Sequence, residues 1–182
     1  MCVLLKVCYN ILMSRFVKHI KGGRLPEADR LDDVAEATYE VGYAEDKLIT
    51  IGAGSNIVFA AQNSENGDKL LGQFNSPADA TNPRSDREEF IEALDAACDI
   101  FGRDIQNSRL YVLGGSLPTI HGDTRYSIAR SFEVAAKMVR ERLPGLDLYV
   151  ERTPEEHYID VTLRGTGELP LVRLQDYEKD IE

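Results

Sequence analysis

A pair of glycines, Gly52 and Gly54, most constrains what this chain can fold into, because it interrupts the apolar run that begins at Thr50. Glycine accepts positive φ and lets another backbone approach closely, so the pair predicts a backbone corner between two buried strands. Ser55 and Asn56 follow the corner and would place short polar side chains where a pocket could open. A purely structural corner, in which these side chains hydrogen-bond to local amides, explains the same residues equally well.

The strand that leaves the corner is predicted to pair with the next strand in the chain. Asn66-Gly67 is a turn signal, and the run at residues 69–77 predicts a strand that returns beside the first. Gln73 follows Asn56 by seventeen residues, an interval that suits such a return. We therefore expect the side chains of Asn56 and Gln73 to lie close together and to line one shallow pocket with Thr50.

The residues of this corner resemble the signature of the CheD chemoreceptor glutamine deamidases. In that family a threonine, an apolar residue and Gly-x-Gly-Ser precede a cysteine, and a histidine follows in a short strand that ends in proline. Thr50 matches the family's catalytic threonine, and residues 52–55 match its glycine corner. Asn56 stands at the position of the nucleophilic cysteine, and Gln73 stands at the position of the histidine.

These two replacements remove the chemistry that the family's reaction requires. Deamidation by that route needs a thiolate to attack the glutamine amide and a histidine to support the thiolate. A carboxamide nitrogen has a delocalised lone pair, so Asn56 cannot attack, and Gln73 cannot titrate near neutral pH. The resemblance therefore implies a binding or regulatory protein on a former deamidase scaffold, acting in chemotaxis signalling. It also implies a chemoreceptor or a chemotaxis phosphatase as the protein partner.

Two other functional hypotheses remain open. In the first, the chain is an active amidohydrolase of the protein-glutamine deamidase type that uses Ser55 as nucleophile and His121 as base. No pattern places a histidine near Ser55, so ordinary surface or loop positions explain the three histidines as well. In the second hypothesis, the corner binds a small molecule. The same pocket would serve the protein partner of the binding protein that the resemblance implies, with side chains that donate to and accept from an amide or a carboxylate; its residues are Thr50, Gly52, Gly54, Ser55, Asn56 and Gln73.

Composition and charge narrow the classes of partner and compartment. The 182 residues carry a net charge of −10, which opposes binding to nucleic acid or to an anionic membrane surface. Three cysteines, without metal-ligand spacing, favour a reducing cytoplasm over a disulfide framework. No metal site and no cofactor are expected, because no ligand spacing supports either.

The domain organisation is predicted to be simple. Residues 31–182 are expected to form one CheD-like domain, and residues 1–30 a basic and apolar segment that is poorly ordered or partly spurious. The apolar run at residues 1–13 is far shorter than the ~20 residues that span a bilayer, so no membrane insertion is expected. An alternative hypothesis is that the natural chain starts at Met13.

The remaining patterns predict an α+β fold. Short strands are expected at residues 37–43, 47–49, 109–115, 146–150, 158–163 and 169–174. Alternation in the strand at 158–163 predicts one face toward water. Together with two helices, these strands predict a mixed β-sandwich with the two principal helices packed on the outside, which is also the fold that the CheD resemblance implies.

Each of the two helices has a predicted start and a predicted buried face. A capping box at residues 85–88 predicts the start of the first helix, which ends at Phe101. The second helix is expected to begin at Asp123 or Thr124. The first buried face comprises Ile91, Leu94, Cys98 and Phe101. The second comprises Ile128, Phe132, Ala135, Ala136, Val139 and Leu143.

Overall fold

A computed structural model describes residues 17–21, 38–77, 85–117 and 123–176 of the chain. Within those ranges the chain forms nine strands and two helices. The strands are β1 (Lys18–Lys21), β2 (Thr38–Gly42), β3 (Leu48–Ala53), β4 (Ile57–Asn63), β5 (Lys69–Phe74), β6 (Ser108–Gly114), β7 (Asp147–Arg152), β8 (His157–Leu163) and β9 (Leu171–Asp176). The helices are α1 (Arg87–Phe101) and α2 (Asp123–Arg142).

The strands form two sheets, and both sheets are mixed. One sheet has the order β1-β9-β8-β3 and the other has the order β2-β5-β4-β6-β7. Parallel pairs occur between β1 and β9 and between β6 and β7, whereas the other neighbours are antiparallel. A buried cluster draws residues from both sheets, so the sheets pack face to face. The predicted α+β class, a mixed sandwich with two helices, is therefore confirmed; the CheD-like fold in particular stays a prediction.

Both helices cover the outer face of the five-stranded sheet. Helix α1 packs on β5 and α2 packs on β6 and β7. Every apolar residue predicted for the buried face of α2 is buried. The buried face of α1 is rotated slightly from the prediction, since Phe90, Ala93 and Ala97 are buried whereas Ile91 and Cys98 are only half-buried.

The predicted capping box at the start of α1 is not formed. Asp86 is the N-cap residue, but its side chain makes no capping hydrogen bond. Its carboxylate instead accepts a hydrogen bond from the Asn75 amide at 2.6 Å, and Ser85 Oγ donates to the Ser76 carbonyl at 2.9 Å. These side chains fix the start of α1 to the end of β5, a tertiary role that the local pattern cannot show.

Two expectations about the four-stranded sheet are wrong. Part of the segment at residues 1–30 is ordered, because β1 pairs with β9 and Val17 is 2% exposed in the core; residues 1–16 and 22–37 lie outside the described ranges. The outer face of β8 does not meet water, since Asp160 and Thr162 are both fully buried. The charge of Asp160 can be buried because the carboxylate forms an ion pair with Arg173 on β9.

Alkaline pH is expected to destabilise the fold through Tyr111, which lies between the sheets. Burial raises the pKa of Tyr111 to about 12, against a smaller lowering by Arg109. Above about pH 10 the unfolded chain loses this proton first, so the free energy of unfolding falls by about 2–3 kcal/mol as the pH rises to about 12. Urea unfolding across this range should show a shallower loss for Tyr111→Phe than for the unmodified protein. Tyr126→Phe, at a 70% exposed position, is the matched control; equal slopes in all three proteins would contradict the prediction.

Candidate functional site

The predicted corner is a β-bulge in β3. Thr50 pairs with Val161 and Ala53 pairs with Ile159, so β3 holds one residue more than β8 between these pairs. Gly52 takes up this extra residue with a φ of +71°, which an L side chain adopts only with strain. The bulge therefore explains why position 52 is a glycine.

A buried ion pair on β8 and β9 supports the bulge. Asp160 Oδ1 accepts a hydrogen bond from the Gly52 amide at 2.9 Å. Its other oxygen, Oδ2, accepts from Arg173 Nε at 2.7 Å and from Gln175 Nε2 at 2.6 Å. Asp160 is 0% exposed and Arg173 is 5% exposed. The bulge that shapes the corner is thus hydrogen-bonded to a fully buried carboxylate.

Sequence reasoning missed this ion pair. The available signal was a single acid in the apolar strand β8 and a single base in the apolar strand β9. Asp160 and Arg173 are direct cross-strand partners. Recognising them required the register between the two strands, which a single strand pattern does not provide.

The structure brings Thr50 and Gln73 together. Thr50 Oγ1 donates a hydrogen bond to Gln73 Oε1. Thr50 is 0% exposed and Gln73 is 7% exposed, so this hydrogen bond is buried. Because Thr50 lies on β3 and Gln73 on β5, it joins the two sheets across the sandwich. These two side chains are therefore directed at each other inside the protein rather than exposed to a ligand.

Asn56 lies on the segment that leads into β4, the strand paired with the Gln73 strand β5. It is half-buried, in the bend that immediately precedes β4. Val58, two residues later, is the cross-strand partner of Gln73. The segments that carry Asn56 and Gln73 are thus neighbours, as the hairpin predicts; a direct contact between their side chains stays a prediction.

The residues that end β6 are hydrogen-bonded both to the corner and to the loop that follows β7. The Gly115 amide donates to the Asn56 carbonyl at 2.8 Å, and the Ser116 amide donates to the Gly54 carbonyl at 2.9 Å. The Thr153 amide donates to the Gly114 carbonyl at 2.8 Å. The end of β6 is therefore held between the corner and the loop that follows β7.

The residues of the alternative mechanism are only partly described. Ser55 is exposed at the corner. His121 lies outside the described residues, so the pairing of Ser55 with His121 stays a hypothesis. His157, at the start of β8, has its Nε2 2.7 Å from Asp176 Oδ1 and its Nδ1 2.6 Å from the Glu155 carbonyl oxygen. Both ring nitrogens of His157 thus have partners outside the corner.

Cys98 is the cysteine within the described ranges, and it is poorly suited to nucleophilic attack. Its Sγ lies 3.6 Å from the Arg142 carbonyl oxygen, to which it donates a hydrogen bond. Burial raises the pKa of the Cys98 thiol, although Arg142 opposes this effect. Cys98 also packs against the cluster under the helices, whereas Thr50 and Gln73 meet between the sheets. The thiol is therefore protonated at neutral pH and does not belong to the corner.

A pocket, here called the end pocket, opens between the two sheets where β6 and β7 end. It has about 60 Å³ of free volume. Its walls are Leu113, Glu151, Thr153, Pro154, Ile159, Val172 and Leu174. None of the residues predicted to bind a ligand at the corner is among them. The end pocket still adjoins the corner, because Ser116 Oγ, next to the glycine pair of β6, donates to the Pro154 carbonyl at 2.8 Å.

The comparisons with known proteins add no family. No protein-family model matches the chain, and no curated protein matches it either. Within the described ranges, His, Cys, Asp and Glu side chains form no group of three that could hold a metal ion. Neither of the two described helices is long and apolar enough to cross a bilayer. The CheD resemblance thus depends on the residues of the corner.

Proposed function

We propose that this protein is a CheD-like binding protein without deamidase activity, in which a buried hydrogen bond replaces part of the catalytic machinery. The observation that supports the proposal is the hydrogen bond from Thr50 to Gln73. Thr50 matches the catalytic threonine of the family and Gln73 matches its histidine. A pair of side chains that would act on a substrate is here buried and satisfied internally.

The chemistry of Asn56 and Gln73 supports the absence of turnover. Gln73 accepts a hydrogen bond through Oε1, but a carboxamide has no basic lone pair with which to take a proton at neutral pH. Asn56 likewise has no nucleophilic electron pair to form an acyl-enzyme intermediate. Loss of the nucleophile alone removes nearly all of the rate in constellations of this type.

The surface around the corner is suited to binding an amide-bearing partner. Ser55 and Gly52 are exposed, and Asn56 is half-buried beside them. A carboxamide both donates and accepts hydrogen bonds, so Asn56 can pair with the side-chain amide of a glutamine. We propose a glutamine-bearing helix of a chemoreceptor as the partner, on the basis of the CheD resemblance.

The purified protein is expected to bind a glutamine-bearing chemoreceptor peptide without releasing ammonia from it. Binding is measured by titration calorimetry, and ammonia by a coupled assay on the same mixtures. Asn56→Ala should weaken binding by about fivefold, since it removes a hydrogen-bonding carboxamide worth about 1 kcal/mol. Asn66→Ala is the matched control, because Asn66 is an exposed asparagine in the turn at the other end of β4.

Three outcomes would contradict parts of the proposal. Ammonia release that Ser55→Ala abolishes would establish an amidohydrolase that uses the exposed serine. Absence of both ammonia and binding would show that the partner class is wrong. Equal loss of affinity in Asn56→Ala and Asn66→Ala would place the binding surface away from the corner.

A further inference from the structure

The end pocket has a chemical character that the proposed function does not use. Four of its walls are aliphatic: Leu113, Ile159, Val172 and Leu174. The remaining walls include a carboxylate, Glu151, and a hydroxyl, Thr153. Leu113 and Glu151 come from the five-stranded sheet, whereas Ile159 and Val172 come from the other. An apolar cleft between two sheets with a few polar groups on its walls is the usual form of a small-molecule site.

The buried hydroxyl of Thr153 is a second polar group on the pocket wall. Thr153 is 4% exposed, and its Oγ1 has no hydrogen-bond partner among the described residues. A buried hydroxyl without a partner is destabilising, and native structures rarely retain one without a reason. Since Thr153 belongs to the pocket wall, a ligand in the end pocket is well placed to supply the missing hydrogen bond.

The carboxylate of Glu151 is held in place by its own strand. Tyr149 lies two residues earlier on β7, and its hydroxyl donates to Glu151 Oε2 at 2.5 Å. Tyr149 is itself buried and packs edge-on against Tyr111, with ring centroids 6.2 Å apart. Glu151 is half-buried, so its charge meets the pocket without being fully removed from water. The Glu151 carboxylate is thus held in a fixed position on the pocket wall.

We propose that the end pocket binds a small primary ammonium compound with a short aliphatic chain. The ammonium group would be bound by Glu151 and would donate to Thr153 Oγ1, because a carboxylate and a hydroxyl oxygen both accept hydrogen bonds from a cation. The aliphatic chain would lie against Leu113, Ile159 and Val172. An anionic ligand is disfavoured by Glu151.

The volume of the pocket sets the size of the ligand. A volume of about 60 Å³ limits the ligand to a few non-hydrogen atoms. A chain of about four carbons with one ammonium group suits this space, whereas a nucleotide or a large aromatic ligand does not. This inference is independent of the proposed function, because none of the corner residues lines the pocket.

Titration with n-butylammonium chloride, followed by methyl NMR of the full chain, tests the proposal. We expect saturable shifts of the Leu113, Ile159 and Val172 methyl groups, with a dissociation constant on the order of 1 mM. Butan-1-ol should bind at least about tenfold more weakly, since it lacks the charge. Sodium butyrate should produce no saturable shift of these groups.

Two variants and one control identify the polar contacts. Glu151→Gln and Thr153→Val should each weaken butylammonium binding, the first by about tenfold or more. Glu155→Gln, at an exposed position outside the pocket walls, should leave the affinity unchanged. Two results would overturn the proposal: the absence of saturable shifts in the unmodified protein, or butan-1-ol binding as tightly as butylammonium. The titrations of the unmodified protein decide between these results even where a variant fails to fold.

Discussion

Asp160→Ala is expected to lower the free energy of unfolding by about 3–5 kcal/mol. The substitution removes the counter-charge of Arg173, which is 5% exposed and would remain buried as an uncompensated cation. It also leaves the Gly52 amide without its acceptor at the bulge. The larger loss is at Arg173, which is buried too deeply for water to replace the carboxylate. Urea unfolding monitored by circular dichroism measures it.

An exposed ion pair of the same chain provides the control. Glu141 lies 3.6 Å from Lys137 one helical turn away on α2, and both side chains are about two-thirds exposed. Glu141→Ala should cost no more than about 0.5 kcal/mol. The double variant Asp160→Leu with Arg173→Met should recover much of the loss, because it removes both buried charges. A loss for Asp160→Ala as small as that for Glu141→Ala would show that the ion pair is not buried as described.

Gly114→Ala is expected to lower the free energy of unfolding by at least about 2 kcal/mol. Gly114 has a φ of +94°, and a Cβ atom placed on it would lie 2.3 Å from the Asn56 carbonyl oxygen. That oxygen accepts the hydrogen bond from the Gly115 amide, so relieving the clash separates the end of β6 from the corner. The variant therefore disturbs both the backbone and the candidate site.

Gly52→Ala shows how much of the loss in unfolding free energy comes from the positive φ alone, without a steric clash. Gly52 also has a positive φ, but a Cβ atom there would meet nothing within 4 Å. Its cost should be limited to the left-handed conformation, about 1–2 kcal/mol. Equal losses for Gly52→Ala and Gly114→Ala in the same urea experiment would contradict the close approach at Gly114.

The parts of the fold that were predictable have local causes. The six buried positions of α2 recur at steps of three and four, and a helical period fixes a single apolar face whatever packs against it. The hairpin of β4 and β5 was predictable because a turn and an apolar run determine their pairing. The neighbouring positions of Asn56 and Gln73 follow from the same local rule.

The parts that were missed depend on distant segments. Strand β1 is too short and too basic to be recognised alone, and it exists by pairing with β9 at the other end of the chain. Asp160 was expected to face water because its strand alternates, yet its partner Arg173 lies on another strand. Thr50 and Gln73 were expected to line one pocket, but their direct hydrogen bond crosses between the sheets and depends on how the sheets pack.

A double-mutant cycle on Thr50 and Gln73 tests most directly whether Gln73 is committed to a buried hydrogen bond. Thr50→Val and Gln73→Leu should each cost about 1–3 kcal/mol, since each leaves a buried polar partner behind. The double variant should cost less than the sum of the single variants by more than about 1 kcal/mol. The same cycle with Thr162→Val in place of Thr50→Val should be additive, because the buried Thr162 hydroxyl has no partner among the described residues. Additive costs for Thr50→Val and Gln73→Leu, to within about 0.5 kcal/mol, would contradict the hydrogen bond and leave Gln73 available to a ligand.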